Sequence, residues 1–271
     1  MGWRPSSFNI LTRVSIALGI GFLVSPLIVI VANSIGENGL ALFPPNSFRL
    51  DAYFNIPAQW WWSFLNSLVL ASSAAAAACV LGTLAALALA RGGFVRRSVI
   101  DGLLRSPLQM PSLVIGIAFL QFYSWLNVTA GVDLRGSFMG LLIAHTTVSV
   151  PYVLTIVLAR LVTFDERLEE AAVGLGATNM QALLRVTLPI INPAILSGGF
   201  FAFLLSLDNV PISLFLVSAA TPLLPVDLFN SIQFDLTRQI YAVATLVCLM
   251  TTIAIVVLYR RLTSTVAIQQ M

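Results

Sequence analysis

The sequence predicts an all-α, polytopic membrane protein with six transmembrane helices and one long polar loop. Three observations carry this. Of the 271 residues, 58% are hydrophobic and only 9% charged, where soluble domains carry about 25% charge. The mean hydropathy is +0.94, and apolar runs long enough to cross a hydrocarbon core recur along the chain. All fourteen basic residues are Arg, and they gather at the ends of those runs. A net charge of +3 therefore reads as membrane orientation, with no nucleic-acid motif beside it. The chain contains no Lys, so it cannot carry a nucleotide-binding G-x-x-x-x-G-K-[ST] loop. One His and two Cys, Cys79 and Cys248, leave no metal-ligand constellation, and each Cys reads as a small apolar packer.

The first span runs from about Val14 to Ala32. It is too long for the apolar core of a signal peptide and no A-x-A site follows, so it is read as uncleaved. A polar segment, 33–62, holds Phe43-Pro44-Pro45-Asn46 and ends in Trp60-Trp61-Trp62, read together as an interfacial anchor. The second span covers about Ser63–Ala90, and its Ala71–Cys79 stretch of small residues suits close helix packing. Arg91, Arg96, Arg97 and Arg105 follow. The third span is about Pro107–Leu126 and the fourth about Phe138–Val162, the latter containing His145 and Pro151. After a polar stretch, Thr163–Pro189, the fifth span covers about Ile190–Ser218, with Asp208 and Pro211 inside. A loop at about 219–238 leads to the sixth span, about Gln239–Leu258.

Six spans place both termini on one side. On that side stand Arg4, Arg13, Arg91, Arg96, Arg97, Arg105, Arg160, Arg167, Arg185, Arg260 and Arg261; Arg49, Arg135 and Arg238 stand on the other. The excess sets the termini and the polar stretch in the cytoplasm. The outer acids Glu37, Asp51, Asp133, Asp227 and Asp235 outnumber the outer Arg, which mildly suits cations.

The polar stretch carries a helical signal. Asp165, Glu166, Glu169 and Glu170 crowd its first turns, where the helix dipole favours anions. Leu168, Ala171, Ala172 and Leu175 make a stripe at i, i+3, i+4 and i+7. Gly176 can end this helix, and Thr178-x-x-Gln181 has the form of a capping box opening a second. Met180, Leu183 and Leu184 fall on one face of that second helix, and Pro189 is expected to stop it. Helices this short need a surface to pack on, either the chain's own cytoplasmic face or another protein.

Glu170-Ala171-Ala172, three residues, Gly176, nine residues, then Val186-x-Leu188-Pro189 resembles the EAA loop of ABC-importer permeases, with Val186 where that pattern has Ile. Phe48-Arg49-Leu50, Trp61-Trp62 and Asn66-Ser67-Leu68 resemble the segment entering the second span in the polyamine/iron/sulfate-like branch. Ser206-Leu207-Asp208-Asn209 followed by Leu224-Pro225 resembles the second permease of spermidine/putrescine importers, from which the chain departs at Asn209 and at Arg238-Gln239-Ile240.

The resemblance implies a single permease domain over 1–271, with a core at about 60–261, the loop at 163–189 and a coupling helix within it. It implies a multi-pass protein of the bacterial inner membrane, in contact with lipid. Its implied partners are a second homologous permease, a cytoplasmic ATPase dimer and an extracytoplasmic solute-binding protein. This chain itself would hold no cofactor, ATP and Mg being bound by the ATPase. Glu170, Ala171, Ala172, Leu175, Gly176 and Met180 are the implied ATPase-coupling positions. The implied solute is a small cation such as a polyamine, with iron, phosphonate or an amino-acid derivative as the alternative. The rival to the resemblance is a secondary transporter or channel acting alone, with Asp208 and His145 as a proton relay, and the EAA pattern argues against it.

Asp208 is the one acid inside a span, and a mid-span carboxylate costs about 2.5–3.5 kcal/mol on insertion scales. Either it lines a translocation cavity with Asn209 or it is hydrogen-bonded between helices. Pro211 permits a kink beside it. His145 reads as an interhelical hydrogen-bonding group or as a gate, and by depth along their spans His145 and Asp208 are expected to be able to meet.

Overall fold

Hydrocarbon offers a peptide group no hydrogen bond, so each apolar run must close its own backbone ladder. The computed structural model describes residues 5–36, 47–93, 95–234 and 236–269, with the side chains of 5–11 and 261–269 not included. Arg4, Glu37, Phe43-Pro44-Pro45-Asn46 and Asp235 lie outside the described residues, as does the side chain of Arg261. Among the described residues, six helices are long and apolar enough to cross a membrane: Thr12–Ile35, Ala58–Arg91, Ser112–Ala130, Phe138–Val162, Asn179–Leu207 and Arg238–Arg260. The only β structure there is one isolated bridge between Gly36 and Phe48.

The chain folds as two compact units. The first comprises Met1–Ala58 and Asn230–Met271. In it α1 (Pro5–Ile35) packs along α12 (Arg238–Gln269), and the short α2 (Asp51–Phe54) sits against both. Ser34 Oγ lies 2.7 Å from Tyr53 Oη. Arg238 grips Asp51 bidentately, Nη1 to Oδ1 at 3.1 Å and Nη2 to Oδ2 at 2.7 Å. Hydrogen bonding from Arg238 holds the Asp51 carboxyl below its ordinary range. The outer surface of α1 is apolar, with Leu18, Phe22 and Leu23 exposed.

The second unit, Gln59–Phe229, holds α3 (Ala58–Arg91), α4 (Arg97–Arg105), α5 (Ser112–Ala130), α6 (Phe138–Val162), α7 (Arg167–Gly174), α8 (Asn179–Ala182), α9 (Leu188–Leu207), α10 (Val210–Leu216) and most of α11 (Leu224–Phe234). Small residues set its packing. Ala71, Ala74 and Ala78 are wholly buried, as the run of small residues implies. Gly82 lets α3 approach α6 so closely that a Cβ there would lie 2.8 Å from Val153 Cβ; one at Gly198 of α9 would lie 3.2 Å from Val153 Cα. Val153 is thereby clamped from two helices, and Ala78, Ala86, Val157 and Ile191 complete this cluster. A second cluster joins Leu70, Ile115, Tyr123, Leu141, Ile212 and Leu216.

Several boundaries differ from expectation. Trp60 is buried while Trp61 and Trp62 are exposed, since consecutive helical residues project about 100° apart. The loop expected at 219–238 contains α11. The expected fifth span is not one helix. It leaves helical geometry at Asp208 and restarts at Val210, with Pro211 in the first turn of α10. Pro189 does not stop the preceding helix either. The segment Leu183–Thr187 is a π-turn in which Leu188 N–H bonds Leu183 C=O, and this wider turn carries the chain past the proline ring.

Candidate functional site

The polar loop folds as the sequence implies up to that proline. In α7 Glu169 and Glu170 occupy the first turn. The helix ends in a Schellman motif: Ala177 N–H bonds Ala172 C=O at 3.0 Å and Gly176 N–H bonds Val173 C=O at 2.9 Å. This closure requires a left-handed residue, and Gly176 has φ +94°; a side chain there would be strained. One residue later the capping box is present in both directions, Gln181 N–H to Thr178 Oγ1 at 3.3 Å and Thr178 N–H to Gln181 Oε1 at 3.0 Å. Two helices thus meet at a tight corner formed by Gly176–Thr178.

The apolar positions of this corner are uncovered. Leu175 is 91% exposed and Met180 62%. Leu168, Val173 and Leu184 are exposed as well, as are Glu170, Ala171 and Gly176, while Ala172 is half-buried. A cleft of about 630 Å³ beside it is lined by Arg91, Glu169, Glu170, Val173, Asn179 and Ala182. The acid that ties the loop to the spans is Glu169, its Oε1 accepting from Arg91 Nη2 at 2.8 Å and from the Thr187 hydroxyl. Sequence reading singled out none of these three for a role. Four acids within six residues look alike, and Arg91 is 78 positions away.

At the break between α9 and α10, Asn209 is buried and its side-chain oxygen accepts from Ile212 N–H at 3.1 Å, capping α10. Asp208 is exposed, and among the described residues no side-chain hydrogen bond or ion pair holds its carboxylate. His145 is buried, and neither of its ring nitrogens bonds Asp208. Its Nδ1 lies 2.8 Å from Ser206 Oγ and its Nε2 3.1 Å from Ser213 Oγ, the two Ser standing on either side of the break. The Ser213 hydroxyl donates to Asn209 C=O at 2.5 Å, so it accepts from Nε2–H, and Nδ1 accepts from Ser206.

A second polar seam binds the head of α3 to the start of α11. Asn66 Nδ2 donates to Pro222 C=O at 3.1 Å, Ser67 Oγ accepts from Leu224 N–H at 2.9 Å, and Ser63 Oγ donates to Asp227 at 2.5 Å. The segments Asn66-Ser67 and Leu224-Pro225, far apart in the chain, are joined here.

Residues 78–267 match the family described as the binding-protein-dependent transport system inner membrane component. The chain belongs to this family. The permease is 32% identical over 247 residues to the putrescine transport system permease protein PotI of Escherichia coli, covering 86% of this chain and 84% of that one. It is 30% identical over 250 residues to the spermidine/putrescine transport system permease protein PotC of Haemophilus influenzae, covering 89% and 92% respectively. Its fold is shared with a chain of a bacterial ABC transporter involved in alginate import, at TM-score 0.71 and 16% identity, covering 97% of this chain and 99% of that chain. It is accordingly a multi-pass inner-membrane permease subunit of an ABC importer, a transport component and not an enzyme; in such importers a partner ATPase hydrolyses ATP. Permeases of this class work with a second permease, an ATPase and a periplasmic binding protein.

Proposed function

We propose that this permease is driven through the corner formed by α7 and α8, and that its solute is a small cation of the polyamine class. The observation that carries the first part is the exposure of Leu175, at the C-terminal end of α7, and of Met180, in the box-capped first turn of α8. A helix as short as α7, with none of its residues buried, is marginal in water without a packing surface, and a cytosolic ATPase supplies one. Leu175, Met180, Ala171 and Ala172 give the apolar contact, Glu170 the charged rim, and Gly176 the corner that sets the angle between them. The ATPase dimer binds ATP and Mg; this chain holds neither. Both termini lie in the cytoplasm with the loop, a reading that the Arg distribution supports. Residues 1–271 act as one permease domain, paired with a second, homologous permease and fed by an extracytoplasmic binding protein.

The polyamine reading is supported by the names of the relatives PotI and PotC and by the unpartnered carboxylate of Asp208 at the helix break. There it contributes negative charge to the translocation path, with His145 and Asn209 shaping the wall behind it. The decisive experiment is co-purification of the ATPase encoded with this permease. The wild-type chain retains it through detergent extraction, and Leu175→Glu, which puts a charge into the apolar contact, loses it. Retention by Leu175→Glu would overturn the docking surface.

A further inference from the structure

We infer that Arg91, Glu169 and Thr187 form a joint that makes the loop helix α7 move as one body with the α3–α6–α9 core. This rests on the coupling reading above. Helix α7 buries none of its eight residues and is bounded by the Gly176 turn, so packing alone does not fix it. Its anchorage is polar and sharply focused. A single oxygen, Glu169 Oε1, accepts from Arg91 at the end of α3 and from Thr187 at the end of the π-turn, and Arg91 Nη2 also stands 3.3 Å from Thr187 Oγ1. Three elements meet at one carboxylate.

Each partner stands on a packed element. Thr187 is wholly buried, and its β-branch leaves few rotamers in a helix. Arg91 ends a helix that is clamped through Gly82 to Val153 of α6, which is clamped in turn through Gly198 to α9. The π-turn is the one place in this path where the helix can change register, because its extra residue can shift along the chain. Thr187 closes that turn, and its bond to Glu169 pins the turn at Leu183–Thr187. With the joint intact, a push on α7 reaches α3 and α9 undiminished. With it broken, the push is absorbed by the turn at Gly176 and by migration of the π-turn.

The test uses the assembled transporter, with the permease in a Cys79→Ala, Cys248→Ala background. Spin labels are placed at Arg167→Cys on α7 and Leu84→Cys on the exposed face of α3. Their distance distribution is measured by pulsed dipolar spectroscopy at rest and after trapping with ATP, Mg and vanadate. The background pair is expected to keep one distribution in both states. Thr187→Val, which keeps the shape and removes the hydroxyl, is expected to gain a second, shifted population on trapping, and Thr187→Ser to behave as the background. Should Thr187→Val fail to assemble, Glu169→Ala decides, since it removes the one acceptor that Arg91 and Thr187 share; the same shifted population is expected. A distribution that shifts in the background, or stays single in the variants, overturns the joint. Absence of the ATPase from the purified wild-type complex overturns the coupling reading itself, and the joint with it.

Discussion

His145 is satisfied on both ring nitrogens by Ser206 and Ser213, which belong to the two helices on either side of the Asp208–Asn209 break. The imidazole is thus a strut holding α9 and α10 at a fixed separation. Replacing it leaves buried hydroxyls short of a partner, a loss of about 1–3 kcal/mol. His145→Leu is therefore expected to lower the thermal unfolding midpoint in detergent, and Ser206→Ala with Ser213→Ala to reproduce most of that loss. A His145→Leu protein as stable as wild type would remove the strut. The sequence already offered interhelical hydrogen bonding as one reading of this lone intramembrane His, and Gly176 as a helix end, because both follow from chemistry local to the residue. Glu169 was not legible in the same way. Its distinction from Glu166 and Glu170 lies in which side of α7 faces Arg91 and Thr187, and that depends on how three distant segments pack.

Among the elements, the corner of the loop was readable because caps are written in short patterns. The glycine after the apolar stripe and Thr178-x-x-Gln181 both do in the structure what their spacing implies. Proline rules transferred less well. Pro189 was expected to end a helix, yet the π-turn before it keeps the path continuous from Asn179 to Leu207. Pro211, expected to kink a span, stands instead in the first turn of a new helix after a full break. A proline forbids one hydrogen bond, and whether the chain answers with a bulge, a kink or a restart is set by the packing around it. The capping box gives a prediction at this scale. Thr178→Ala removes the acceptor for Gln181 N–H and is expected to cost about 1 kcal/mol locally. Amides of α8 should then exchange with solvent about fivefold faster, as hydrogen-exchange mass spectrometry would read, while those of α6 stay unchanged.

For the whole molecule, composition together with the six long apolar runs conveyed an all-α membrane protein with six spans, since runs of that length satisfy their own backbone in lipid as helices. What it did not convey was where the broken span leaves its charge. The carboxylate of Asp208 follows the last turn of α9, where the helix dipole adds negative potential at the same point. Among the described residues nothing neutralises it. A group that holds no part of the fold can be altered without harming assembly, so its role is open to a clean test. Asp208→Asn is expected to fold, to reach the membrane and to retain the ATPase. Its initial rate of putrescine uptake, in proteoliposomes loaded with ATP and supplied with the binding protein, is expected to fall about tenfold, the change that losing about 1.4 kcal/mol of charge interaction produces. Asp208→Glu should keep most of the rate, because it keeps the charge at the break. Wild-type putrescine uptake by Asp208→Asn would show that cations pass without help from this carboxylate. A fall matched equally by Asp208→Glu would mean that the shape of the break matters and its charge does not.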